Sequence, residues 1–174
     1  MKFRELLIGA TLSAISVSCF ALGSEGQYNF NYGGKLEHFS ATPSGSAETV
    51  FDLLMATGDG HPSVLAHQDT VGAIEQVKEG NKIITHVVPQ VYGYRLVVTP
   101  EAQVPGQFEK AGRVNTTITM DQSVKGQDGK PAQYSITKKV SLASGEAVAL
   151  DWINEGEPYR LTVKFNGGQW NKFN

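Results

Sequence analysis

Between Tyr159 and Phe165 the chain alternates without a slip. Tyr159, Leu161, Val163 and Phe165 are apolar or aromatic, and Arg160, Thr162 and Lys164 lie between them. A period of two belongs to a β-strand with one buried and one wet face. The same period runs through Val114, Thr116, Ile118 and Met120, with Arg113, Asn115, Thr117, Thr119 and Asp121 on the other side. It recurs at Tyr134, Ile136, Lys138 and Val140, and in shorter form at Tyr28, Phe30 and Tyr32. Trp152 shares a face with Val148 and Leu150 and is predicted to be core.

Further strands are predicted in "SVLAHQDTV", "AIEQVK", "KIITHVV" and "YGYRLVVT". Gly72 separates the first two, and Glu79-Gly80-Asn81 marks a turn. The third is expected to end before Pro89 and the fourth at Pro100, because proline brings no ladder donor. Asp128-Gly129 and Ser144-Gly145 signal turns between later strands. "ETVFDLLMATGDG" fits either a two-turn helix or a strand ending at Gly58-Asp59-Gly60, and its β-rich surroundings favour the strand. Seven or more short strands at this spacing predict an all-β fold, an antiparallel β-sandwich of immunoglobulin-like or related type. An outer-membrane barrel would fit the length, but Pro89, Pro100 and Pro105 around one short strand argue against it.

The run "VKEGNKIITHVVPQVYGYRLVVTP" (77–100) aligns without a gap on "LASGEAVALDWINEGEPYRLTVKF" (142–165). Gly80 falls on Gly145, Tyr94 on Tyr159, Arg95 on Arg160, Leu96 on Leu161 and Val98 on Val163. This suggests two repeated three-strand units, each closed by a Tyr-Arg-Leu-x-Val strand with its arginine facing out. The repeat is tested by whether Gly80 and Gly145 occupy related places.

The first residues change the picture of where such a domain works. Lys2 and Arg4 precede an apolar stretch, Leu6 to Ala21, followed by small residues. That is the pattern of a bacterial secretory signal, too short for a convincing membrane span. The expected organisation is a signal peptide over 1–21, a flexible N-terminal arm or edge strand over 22–47, and the sandwich over 48–174. The expected location is periplasmic or secreted, with no integral membrane segment after signal cleavage. Cys19, the one cysteine, lies inside the signal. Read as a lipoprotein box, "SVSC" would lipidate it, but Ser16 stands where leucine is usual. Disulfides are therefore not expected to hold the mature fold.

The chain has 15 basic and 17 acidic residues. Without the signal's Lys2, Arg4 and Glu5 the balance is a small net negative charge, and the charges are scattered. No basic stripe points to nucleic acid. "GDGHPSVLAHQD" brings His61, His67 and Asp69 close in sequence as candidate metal ligands. On one strand the two histidines would stand roughly 20 Å apart, beyond the reach of one ion, and no zinc spacing appears. Arg95 and Arg160 are candidate anion ligands if their strands present them together, and ordinary wet-face residues otherwise. Trp170, a further ligand-binding candidate, either folds back on the domain or offers an aromatic handle to a partner. No cofactor and no catalytic residue is expected: no nucleophile elbow, phosphate loop or paired carboxylates stand out.

"HPSVLAHQDTVGAIEQVKEGN", "YGYRLVVTPEA" and "GRVNTTITMDQSV", about residues 61–124, together resemble a β-region of the secretin family, the outer-membrane gates of bacterial secretion and pilus systems. Pro62, Val64, Leu65, Val77, Gly80, Gly93, Leu96, Val98 and Pro100 carry the resemblance. Secretins are far longer, so the resemblance implies a stand-alone β module of the envelope and brings no functional residue. The expected function is a non-enzymatic envelope protein that binds another envelope protein or assists assembly. A periplasmic enzyme or small-ligand or metal binder using the His61/His67 region is one alternative, and a small outer-membrane β-barrel is another.

Overall fold

The computed structural model describes residues 27–39, 46–80, 82–102, 108 and 111–171. The expected signal segment, Cys19, Pro105 and Phe173 lie outside the described residues. Eight strands follow one another: β1 (Gln27–Phe39), β2 (Ala47–Gly58), β3 (Ser63–Glu79), β4 (Lys82–Pro100), β5 (Arg113–Lys125), β6 (Pro131–Ala143), β7 (Ala147–Asn154) and β8 (Glu157–Asn171). They form two four-stranded antiparallel sheets, ordered β2-β1-β8-β7 and β3-β4-β5-β6, packed face to face. This is the expected all-β sandwich.

Its strand order departs from the immunoglobulin type. Every strand pairs with a sequence neighbour except where β1 meets β8, so the path is a meander rather than a Greek key. Written as a ring, the order 1 to 8 would close a barrel, but the ladder is missing at β2/β3 and at β6/β7. The sheets therefore do not close, and the barrel reading of this chain is set aside. At the second gap Lys138 Nζ reaches the carbonyl of Ala149 at 3.5 Å. The β6–β7 crossover is pinned by Glu146, whose carboxylate accepts the Ala143 N–H at 2.9 Å and Arg113 at 2.7 Å. That backbone bond, ahead of the Arg113 charge, holds the Glu146 carboxyl below its usual range.

The core lies between the sheets, where alternation predicted it. Leu161, Val163 and Phe165 of β8 face Val114, Ile118 and Met120 of β5 within one buried cluster. Each such side chain contributes about 1.5–3 kcal/mol by leaving water. Tyr28, Phe30 and Tyr32 are fully buried as well. Gln27–Phe39, expected as an arm or edge strand, is an inner strand between β2 and β8. Three large aromatics on one face reward burial too strongly to stay at an edge. Phe108 closes this end, its ring edge-on to Tyr28, Phe30 and Phe165 at 5.6–6.0 Å.

Polar ties also cross the core. Tyr32 Oη hydrogen-bonds Thr116 Oγ1 at 2.8 Å, and burial pushes the phenol up to about 12. Trp152 Nε1 and Asn154 Nδ2 both donate to Gln122 Oε1, at 2.7 and 3.0 Å. A buried indole N–H needs such a partner, and Gln122 supplies it from the opposite sheet.

Two expected breaks are absent. β3 runs through Gly72 and β4 through Pro89, which stand opposite each other in one unbroken register. β5 pairs β4 only from Gly93 onward, so Pro89 sits where one side of β4 is open and a missing donor is tolerated.

The repeat also fails its test. Gly80 turns a hairpin within one sheet, whereas Gly145 links β6 to β7 across the two sheets. Residues 82–100 are one strand, but their counterparts form β7 and β8 around a turn at Glu155-Gly156. Both turn residues have positive φ, 52° and 84°, the geometry of a tight hairpin. The aligned residues are Gln90 and Val91, and a β-branched valine cannot take that turn without strain. What the two runs share is a strand pattern, with Tyr, Leu and Val inward and Arg outward.

Candidate functional site: the β3–β4 arm

The β3–β4 hairpin outgrows the sandwich. Its ladder runs from Ser63↔Val98 to Glu79↔Lys82, but β5 supports β4 only over Gly93–Pro100. Beyond Gly93 the two strands continue as a ribbon of eleven pairs, Asp69↔Tyr92 to Glu79↔Lys82, a reach of roughly 35 Å at the strand rise. Gly93 allows the departure. Its φ is 121°, and a Cβ there would stand 2.1 Å from the carbonyl oxygen of His67 on β3. Only glycine lets the strands approach so closely at the arm's root.

The arm's composition sets it apart. Among the described residues, Val71, Ile74, Val77, Ile83, Val87 and Val91 of the arm are exposed large hydrophobics, as are Val50, Leu54 and Ile153 on the sandwich body. Ile74 is 72% exposed, Ile83 68% and Val87 72%. Pairing assigns them to faces. Ile74 lies opposite Val87, Thr70 opposite Val91 and Lys78 opposite Ile83, so these share one face, which carries no carboxylate. The other face continues the core side of the sheet. It mixes Val71, Ala73, Val77, Ile84 and Val88 with Asp69, Glu75, Glu79, Lys82 and His86. A two-stranded ribbon is marginal by itself in water, and apolar residues on both faces give it surface to bury against something else.

The predicted site residues fall elsewhere or apart. Arg95 is on the outer face of the β3–β6 sheet and Arg160 on the outer face of the other, so they make no joint anion site. Each is bridged to the aspartate directly opposite: Arg95 to Asp121 at 3.1 Å, Arg160 to Asp151 at 2.6 Å. The Asp151 bond raises the Arg160 guanidinium above its usual range. Arg160 also lies 5.7 Å over the Phe39 ring, beside a shallow apolar depression with Ile153 and Pro158. Replacing Arg95 by alanine is expected to lower stability by less than about 1 kcal/mol, because exposed bridges contribute little; a urea titration measures it.

His61 sits in the β2–β3 loop, its carbonyl bonded by Thr57 Oγ1. His67 and Asp69 stand exposed on β3. No group of three or more histidine, cysteine, aspartate or glutamate side chains that could hold a metal occurs among the described residues. Trp170 is in β8, edge-on to Tyr28 at 4.7 Å, and packs on the core. Sequence reading missed the arm itself. Its signal was the apolar character of both alternation sets in "TVGAIEQV" and "IITHVVPQV", which a half-buried strand does not show.

The fold and the arm define a meander sandwich with a protruding two-stranded ribbon. A similar solved structure is the InvG secretin domain β-barrel from the Salmonella SPI-1 injectisome NC-base, at 9% identity and a TM-score of 0.41. The match covers 86% of this chain and 62% of that one. It is a weak, partial resemblance to a secretin. No protein-family model and no curated protein matches the chain.

Proposed function

We propose that the protein is an exported, non-enzymatic component of the bacterial envelope that binds another envelope protein through its β3–β4 arm. The observation that carries this reading is the six exposed aliphatic side chains gathered on the arm. The signal-like N-terminus supports the envelope location. A ribbon that leaves the core at a glycine and shows a carboxylate-free apolar face suits docking by apolar contact.

The test is capture from an envelope fraction by the wild type and by Ile74→Ser/Ile83→Ser/Val87→Ser. The wild type is expected to retain a specific partner and the triple variant to lose it. All three side chains are more than two-thirds exposed, so each change should move stability by no more than about 0.5 kcal/mol. Capture of the same partner by the triple variant, with its melting curve unchanged, would refute the arm as the docking element.

A further inference from the structure

We propose that β3 pairs edge to edge with β3 of a second copy, in an antiparallel two-fold register centred on Val71. The inference goes beyond the envelope partner proposed above and does not depend on it. β3 is the outer strand of its sheet, so among the described residues one side of its 17-residue length has no ladder partner. Natural edge strands are blunted by prolines, lysines or shortness. β6 carries Pro131, Lys138 and Lys139 along its edge, and β7 has only 8 residues. β3 has no proline, lysine or arginine from Ser63 to Val77.

Charge and burial select the register. An antiparallel pair centred on Val71 sets Val71 against its own copy and Leu65 against the second copy's Val77. It sets His67 against the second copy's Glu75, and this happens twice across the two-fold axis. No like charges are opposed. Moving the centre to Gly72 opposes Asp69 to Glu75 twice, and moving it to Thr70 sets Leu65 against Glu75. Both cost energy, since directly opposed side chains are the unit of sheet stability.

The selected register also serves the open β2/β3 gap. Leu65 and Phe51 are only partly buried and pack on the core there, and Val77 of the second copy would continue the apolar layer beside Leu65. The 17 residues from each copy approach the roughly 20–30 per side of a standard interface. The product is a continuous eight-stranded sheet, with each arm lying along the other copy's root.

Sedimentation of the exported protein tests this without any variant. Twice the chain mass is expected at tens of micromolar, and a single-chain mass up to about 100 µM would overturn the proposal. The register is tested in a Cys19→Ser background. Val71→Cys is expected to form a covalent dimer on mild oxidation, because directly opposed β-carbons lie about 4.5–5.5 Å apart. Ile74→Cys should not, since its two copies would be offset by six residues, roughly 20 Å. Equal cross-linking of both variants would overturn the register.

His67→Glu is expected to weaken self-association about tenfold, and His67→Glu/Glu75→Lys to restore it. Loss without rescue would count against the His67–Glu75 pairing. A monomer that still captures an envelope partner sinks this proposal and leaves the proposed function standing. A dimer that captures none does the reverse.

Discussion

Gly34→Ala is expected to lose most or all of the sandwich's stability. Gly34 lies in the middle of β1, paired with Leu53 on one side and Val163 on the other. An added Cβ would stand 1.9 Å from the carbonyl oxygen of Thr162 in β8. Its neighbour is backbone, so no rotamer change relieves the clash, and β1 and β8 must separate. The φ of 153° adds a conformation that L-residues rarely adopt. A domain of this kind has only about 5–15 kcal/mol of stability in all, and the clash should cost more than about 4 kcal/mol. The control is Gly145→Ala, at φ 85° with open space around its Cβ. Positive φ alone costs about 1–3 kcal/mol. Urea midpoints separate the two, and equal losses would show that β1 and β8 are not packed as described.

Phe165→Ala should be the second most damaging change. The ring is fully buried, tilted on Tyr32 at 5.3 Å and near edge-on to Phe30 at 5.9 Å and Phe108 at 6.0 Å. Aromatic-to-alanine changes at such sites cost about 3–5 kcal/mol through lost transfer energy and the cavity left behind. Collapse is hindered because Phe30 and Tyr32, fixed on the inner strand β1, and Phe108 line the space. Leu54→Ala is the matched control: Leu54 is 83% exposed and should lose about 0.5 kcal/mol or less. Thermal melts of the pair decide it.

Where one strand face met the core and the other met water, the sequence was readable residue by residue. Val114, Thr116, Ile118 and Met120 alternate inward, as do Tyr159, Leu161, Val163 and Phe165. Connectivity was less legible. Gly72 and Pro89 read as breaks because a strand pattern cannot show that both lie on an unsupported ribbon where neither must serve a third strand. Tyr28, Phe30 and Tyr32 were seen as a strand face, but not as central, since their neighbour β8 is more than a hundred residues away in the chain. The repeated Tyr-Arg-Leu-x-Val recorded a common solution for a half-buried strand, with the arginine closing a bridge to the opposite aspartate. The candidate site escaped because its sign was an excess of apolar residues rather than a motif, and an excess has meaning only once burial is known.

The pairing of β1 with β8 also fixes the order of events when the chain first folds. β1 leaves the ribosome before the other seven strands, yet one of its two ladders needs the last of them, with Gln27 beside Asn171. Until β8 arrives, β1 has only its ladder with β2, and β7 has no ladder partner among the described strands. The meander must therefore stay incomplete through most of its own synthesis and close in a late, long-range step. Such non-local closure folds on the slower, millisecond-to-second scale.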